Sequence, residues 1–164
     1  MAATIDQLWR RYRRKGLLID TNLLLTYFVG LCDRELLLTF KRTAAFSWED
    51  FLLLGKFVTS FQLLVTTPNI LTEVSNLLSD DVRDRCLAVL ISQIEKLDER
   101  YPASTELVKA PAFPKFGLTD AGIGSTARGR YLVLTDDFRL SNHLRTEGQD
   151  VVNFNHLRQL NWRL

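Results

Sequence analysis

Short apolar runs that end in a polar or acidic residue recur along this chain. Leu17-Leu18-Ile19 ends at Asp20, Leu63-Leu64-Val65 at Thr66 and Thr67, Leu132-Val133-Leu134 at Thr135 and Asp136, and Val151-Val152 at Asn153-Phe154. Continuous runs of this length suit strands buried on both faces of a parallel sheet. The longer stretches between them have helical spacing. The alternation therefore predicts an α/β fold, a three-layer α/β/α sandwich with a central, mainly parallel sheet and right-handed crossovers. The pattern is sharpest after Thr67. That residue can cap a helix, Pro68 suits the first helical position, and Ile70, Leu71, Val74, Leu77 and Leu78 form one apolar stripe. Glu73 lies in the second turn at the edge of the stripe, so its carboxylate is expected where helix meets sheet.

Composition narrows this picture without naming a function. With 164 residues, 46% of them hydrophobic, the chain is expected to form a single domain over residues 1–164 around one core. Tyr101 to Gly117 carries Pro102, Pro111 and Pro114 and would pass elsewhere for a linker. No boundary is placed there, because candidate acids lie on both sides and form one site only if both halves fold together. A net charge of +2 does not by itself mark a nucleic-acid binder. The charge is unevenly spread, however: Arg10, Arg11, Arg13, Arg14 and Lys15 make residues 1–15 a basic N-terminal segment. This run reads either as an RNA-binding patch or as a solvated helix face with Trp9 and Tyr12 on its inner side.

Cys32 and Cys86 are far apart and lack a CxxC pairing, which argues against zinc and supplies no disulfide framework. A reducing, cytoplasmic setting is expected. The basic run followed by Leu17 to Leu31 imitates an export signal, but Asp20 and Asn22 interrupt it. A carboxylate in the middle of an inserting segment costs about 2.5–3.5 kcal/mol. Neither a membrane span nor an export signal is expected.

Chemistry is expected beyond the carboxyl ends of the strands, where ligands bind in open parallel sheets. Asp20 follows the first strand, Asp136 and Asp137 follow the Leu132 strand, and Asp120 begins a helix behind Thr119. Taken singly, each Asp reads as a helix cap. Four or more acids at one end of a sheet repel one another unless a cation neutralises them. Oxygen-only ligands favour Mg²⁺ or Mn²⁺ over zinc. Two rival enzymes fit less well. A phosphatase of the haloacid dehalogenase type wants Asp-x-Asp, whereas Asn22 holds the third position, and a metal-free ribonuclease would have only His143 and His156, read as surface or helix-end residues.

Leu18-Ile19-Asp20-Thr21-Asn22, then Glu73, then Leu118-Thr119-Asp120-Ala121, then Leu134-Thr135-Asp136-Asp137-Phe138-Arg139-Leu140 resemble the ordered motifs of the PIN-domain ribonucleases over nearly the whole chain. The resemblance implies metal-binding acids at Asp20, Glu73, Asp120 and Asp137, with Asn22 orienting the first Asp and Thr135 bonding within the cluster. The Thr-x-Asp spacing selects Asp137, and Asp136 is the neighbouring alternative ligand. Gly122 and Gly124 depart from the larger helix formers expected there, which points to a weak helix or one close to the sheet. The implied activity is metal-dependent hydrolysis of RNA, leaving a 5′-phosphate and a 3′-hydroxyl. Expected partners are single-stranded RNA, an antitoxin protein if the chain is the toxin of a toxin–antitoxin pair, and a second copy in a homodimer. The alternatives are an RNA-processing or decay nuclease and a non-cleaving PIN-like module that binds RNA or protein.

Overall fold

The computed structural model describes residues 3–160 and Trp162. Its strands are β1 (Leu17–Ile19), β2 (Leu64–Thr66), β3 (Asp98–Glu99), β4 (Leu132–Thr135) and β5 (Val151–Asn153). They form one sheet in the order β3-β2-β1-β4-β5, and every neighbouring pair is parallel. Leu17, Leu18, Leu132, Val133 and Leu134 are fully buried, as expected of central strands sandwiched between helices. The expected α/β sandwich is therefore present. The second strand starts one residue later than its apolar run suggested. The edge strand β3 was not expected at all, because Asp98 and Glu99 carry no apolar signal.

Ten helices are described: α1 (Ile5–Tyr12), α2 (Thr21–Cys32), α3 (Arg34–Thr39), α4 (Trp48–Thr59), α5 (Pro68–Leu77), α6 (Asp80–Ile94), α7 (Ser104–Leu107), α8 (Phe113–Ala127), α9 (Phe138–Thr146) and α10 (Phe154–Leu160). Among these, α2 packs against α3, α4, α5 and α6, and residues Leu23 to Val29 are buried almost completely. Thr67 caps α5 through a bond from Ile70 N–H, with Pro68 at the first position. The proline-rich segment is not a linker: it carries α7, which packs on α8.

Around Asp120 one local expectation holds and another needs correction. α8 begins at Phe113 but breaks at Gly117, so a second helical run starts at Leu118 and carries Asp120 in its first turn, as expected; the Gly117 backbone has φ +82°. That left-handed geometry favours glycine. The close approaches at Gly122 and Gly124 are not to the sheet. A Cβ at Gly122 would sit 3.4 Å from Leu107, and one at Gly124 would sit 3.5 Å from Leu144, so small residues there let α7 and α9 approach α8. Where α2 packs on α6, the Cys32 thiol donates to the Arg85 carbonyl at 3.6 Å, and both Cys32 and Cys86 are free. Among the described residues, no helix is long and apolar enough to cross a membrane.

Candidate active site

The strand order creates a topological switch point. From β1 the chain moves to β2 and then to β3 on one side, and it returns through α7 and α8 to place β4 on the other side of β1. Crevices outside the carboxyl ends of such strands are where open α/β sheets bind ligands. Asp20 leaves β1 and Thr135-Asp136-Asp137 leave β4 on either side of this crevice. Asp120 approaches it from α8, and Glu73 approaches from α5.

Asp20 is buried and makes two short hydrogen bonds. Its Oδ1 accepts from Thr21 N–H at 2.6 Å, which caps α2, and its Oδ2 accepts from the Thr135 hydroxyl at 2.6 Å. The Thr135 hydroxyl oxygen in turn accepts from Asp137 N–H at 3.0 Å, tying the ends of β1 and β4 together. Asp137 Oδ1 caps α9, accepting from Arg139 N–H at 2.7 Å and Leu140 N–H at 3.1 Å. Capping and membership of the acidic cluster thus coexist in the same residues.

Glu73 is gripped by two threonines. The Thr21 hydroxyl donates to its Oε2 at 3.1 Å, and the Thr119 hydroxyl donates to its Oε1. By contrast, the Asp120 carboxylate accepts no hydrogen bond among the described residues. Burial first, and then the charges of Asp20, Asp137 and Glu73, push it up to about 7. Asp20 is pushed up to about 6, mainly by burial; its two hydrogen bonds oppose the rise, and the charges of Asp136 and Asp137 add to it. The charges of Asp20, Asp137 and Glu73 thus act on Asp120, and those of Asp136 and Asp137 act on Asp20, so the five acids share one electrostatic neighbourhood.

Asp136 lies on the Asp20 side of that neighbourhood, raising Asp20 but not Asp120. Its carboxyl is raised by burial, but the Asn22 amide donates to it at 3.3 Å and the charge of Arg158 opposes the rise. Asn22 therefore meets Asp136, whereas the sequence had paired it with Asp20. The Asn155 amide also donates to the Asp136 carbonyl at 3.1 Å. Sequence reasoning missed Asn155, Thr21 and Thr119 as site residues, although the two threonines lie inside the quoted motifs and Asn155 lies just past a strand end.

The basic run is not brought to the acids. Arg13, Arg14 and Lys15 lead into the amino end of β1, and Arg11 pairs at 2.9 Å with Asp150, which precedes β5. Arg13 lies over Trp9 and Lys15 over Tyr12, with Tyr12 itself buried. A different set of cations and rings flanks the acids. His143 stacks on Phe116 with ring centroids 4.7 Å apart, and Arg139 and Lys115 lie over the Phe116 ring. Beside Asp137, Phe138 is 52% exposed. A cavity of about 670 Å³ runs along β5 beside α1 and α10 and includes none of the cluster's acids.

As the side chains stand, no three His, Cys, Asp or Glu residues among those described are arranged to hold a metal ion. The donor set nevertheless has the chemistry for a hard cation: it is all oxygen, mutually repelling, and includes the unpartnered carboxylate of Asp120. No family model, curated protein or solved structure matches the chain.

Proposed function

We propose that this protein is a metal-dependent ribonuclease of the PIN type. The observation that carries the reading is the convergence of Asp20, Glu73, Asp120 and Asp137 at the switch point, where Asp120 is raised by burial and by the charges of Asp20, Asp137 and Glu73, and Asp20 by burial and by those of Asp136 and Asp137. Asp20, Asp120 and Asp137 would hold Mg²⁺ or Mn²⁺. Asp137 keeps Oδ2 free of the α9 cap, and it is felt by both Asp20 and Asp120, which favours it over Asp136. A bound cation of this kind polarises a phosphodiester and lowers the pKa of a water. Thr135 holds Asp20 in place, while Thr21 and Thr119 hold Glu73 by both oxygens, a grip that suits a residue positioning water better than a direct ligand.

The test is incubation of the protein with a single-stranded oligoribonucleotide in Mg²⁺ or Mn²⁺, beside a chelator control. Cleavage only with metal, leaving a 5′-phosphate, is the expected result. Binding without cleavage in either metal would establish a second reading, a non-cleaving RNA-binding module, which is favoured by the occupied oxygens of Glu73.

The position of the basic run leads to a separate expectation. Replacing Arg10, Arg13 and Arg14 with Gln should leave cleavage of a short oligoribonucleotide unchanged. The same changes should flatten the salt dependence of binding for an RNA long enough to reach round to the amino ends of the strands. Equal slopes for parent and variant on long RNA would remove the run from RNA binding.

A further inference from the structure

Capped by Asp137, α9 meets its neighbours through two Phe–His pairs. Toward α8, His143 stacks on Phe116; Asp120 and His143 line one cavity of about 250 Å³ between the two helices, which sets this pair beside the acids. Toward α10, His156 meets Phe138 edge-on with ring centroids 6.0 Å apart. The two pairs differ in what they offer. Lys115 Nζ lies 5.3 Å and the Arg139 guanidinium 5.7 Å from the centre of the Phe116 ring, whereas Phe138, next to Asp137, leaves about half of its own surface open. Both cations are exposed, and among the described residues neither forms an ion pair. Arg139 N–H donates to Asp137 at 2.7 Å, yet its guanidinium rests on a ring rather than on a neighbouring carboxylate. No cation counters the rise of Asp120, on which burial and three carboxylate charges act. A single exposed ring or cation needs no explanation. Two unpaired cations held on one ring, with a second, open ring next to the same acid, are more than surface packing requires.

We infer that Lys115, Arg139 and Phe138 clamp a single-stranded RNA across the acids: the two cations take phosphates on the α8 side, and Phe138 stacks one base on the α10 side. The phosphodiester between them then lies at Asp120 and Asp137. This clamp rests on the ribonuclease reading proposed above. A carboxylate neighbourhood repels a polyanion, so a strand is held there only if cations stand close by, and the run from Arg13 to Lys15 lies at the opposite end of the sheet. Cation–π attraction keeps Lys115 and Arg139 over Phe116, so they lose less freedom when a phosphate arrives. His143 fixes the ring from its stacked position. The Phe138 ring has no polar atom with which to read a base edge, and stacking on it tolerates any base. Bases in a duplex are already stacked on one another and cannot reach it, which selects single strands.

Fluorescence anisotropy of a short labelled oligouridylate tests the clamp separately from the chemistry. Binding is followed over a range of salt in chelator and again in Ca²⁺, a cation that oxygen ligands hold. Lys115→Gln combined with Arg139→Gln should reduce the slope of log K against log salt by about 1.4, since each phosphate neutralised on a single strand contributes about 0.7. Arg139→Lys keeps the charge and should keep the slope, which separates lost charge from lost fold. Phe138→Ala should weaken binding about tenfold at every salt concentration without changing the slope, because stacking releases no counterions. Phe138→Trp should bind as the parent does or tighter, and a duplex of the same length should bind the parent and Phe138→Ala alike. With Mg²⁺ or Mn²⁺ the weakened variants should show a raised KM at parental kcat. These binding effects without metal-dependent cleavage would sink the nuclease reading and leave the clamp standing. Cleavage in which the variants match the parent in KM and in salt slope would overturn the clamp and leave the nuclease reading. A reduced slope beside parental affinity in Phe138→Ala would make this a general polyanion surface, and no binding in either chelator or Ca²⁺ would remove it altogether; both outcomes overturn the inference.

Discussion

Replacing Asp20, Asp120 or Asp137 with Asn is expected to lower metal-dependent cleavage by at least about 10²-fold, because even outer partners of metal ligands cost 10- to 100-fold when they are lost. Each substitution removes one anionic oxygen while preserving side-chain shape, and for Asp20 and Asp137 it also preserves the cap on α2 or α9, since Asn caps helices as well as Asp. Loss of activity can then be assigned to chemistry if circular dichroism and melting temperature stay at parental values. Asp136→Asn should cost far less. Asp136 is engaged by Asn22 and opposed by Arg158, and it does not contribute to the rise of Asp120. A dead Asp136→Asn beside an active Asp137→Asn would reverse the assignment within the doublet.

Stability of the metal-free protein should fall as pH rises. Asp20 moves from an ordinary 3.8 to about 6 in the folded state, and Asp120 from 3.8 to about 7. Folded pKa values above the unfolded ones mean that the folded state binds more protons between them. The favourable contribution is complete below about pH 4 and is lost as pH climbs through 6 and 7. For buried Asp20 alone the loss is on the order of 3 kcal/mol, which lowers the melting temperature by roughly 5–10 °C in a chain of this size. Mg²⁺ or Mn²⁺ at about a hundred times its dissociation constant should restore about 2.7 kcal/mol. Asp20→Asn should be at least as stable as the parent at pH 8 without metal, should show a shallower pH slope, and should lose most of the metal-induced rise. Calorimetry at pH 5 and pH 8, with and without metal, reads all three. Indifference of the parent to both pH and metal would mean that these acids serve only as caps.

The central strands were legible in the sequence because burial on both faces leaves an uninterrupted apolar run, as in Leu17-Leu18-Ile19 and Leu132-Val133-Leu134. The edge strand Asp98–Glu99 was not, since a two-residue polar strand leaves no periodicity to detect. The acids could be placed at strand ends by reading order alone. Which side chain each one meets could not, because that depends on how the ends of β1 and β4 align: Thr135 reaches Asp20, and Asn22 reaches Asp136. The basic run illustrates the same limit. Its composition is visible in the sequence, but its location at the far end of the sheet follows only from the hairpin-tight passage from Tyr12 into β1, where Gly16 N–H bonds the Tyr12 carbonyl at 2.9 Å. His143 read as a surface residue, and only the meeting of α8 with α9 makes it a wall of a cavity.

Asp20 caps α2 while also belonging to the acidic cluster, and Asn can do the first task without the second. A codon for Asp becomes one for Asn through a single transition, so, on the ribonuclease reading proposed above, this chain would stand one mutational step from a folded but catalytically silent descendant. Because the silent form is expected to be no less stable, protein quality control would not remove it. On that reading, selection on the chemistry rather than on the fold would be what holds an aspartate at this position.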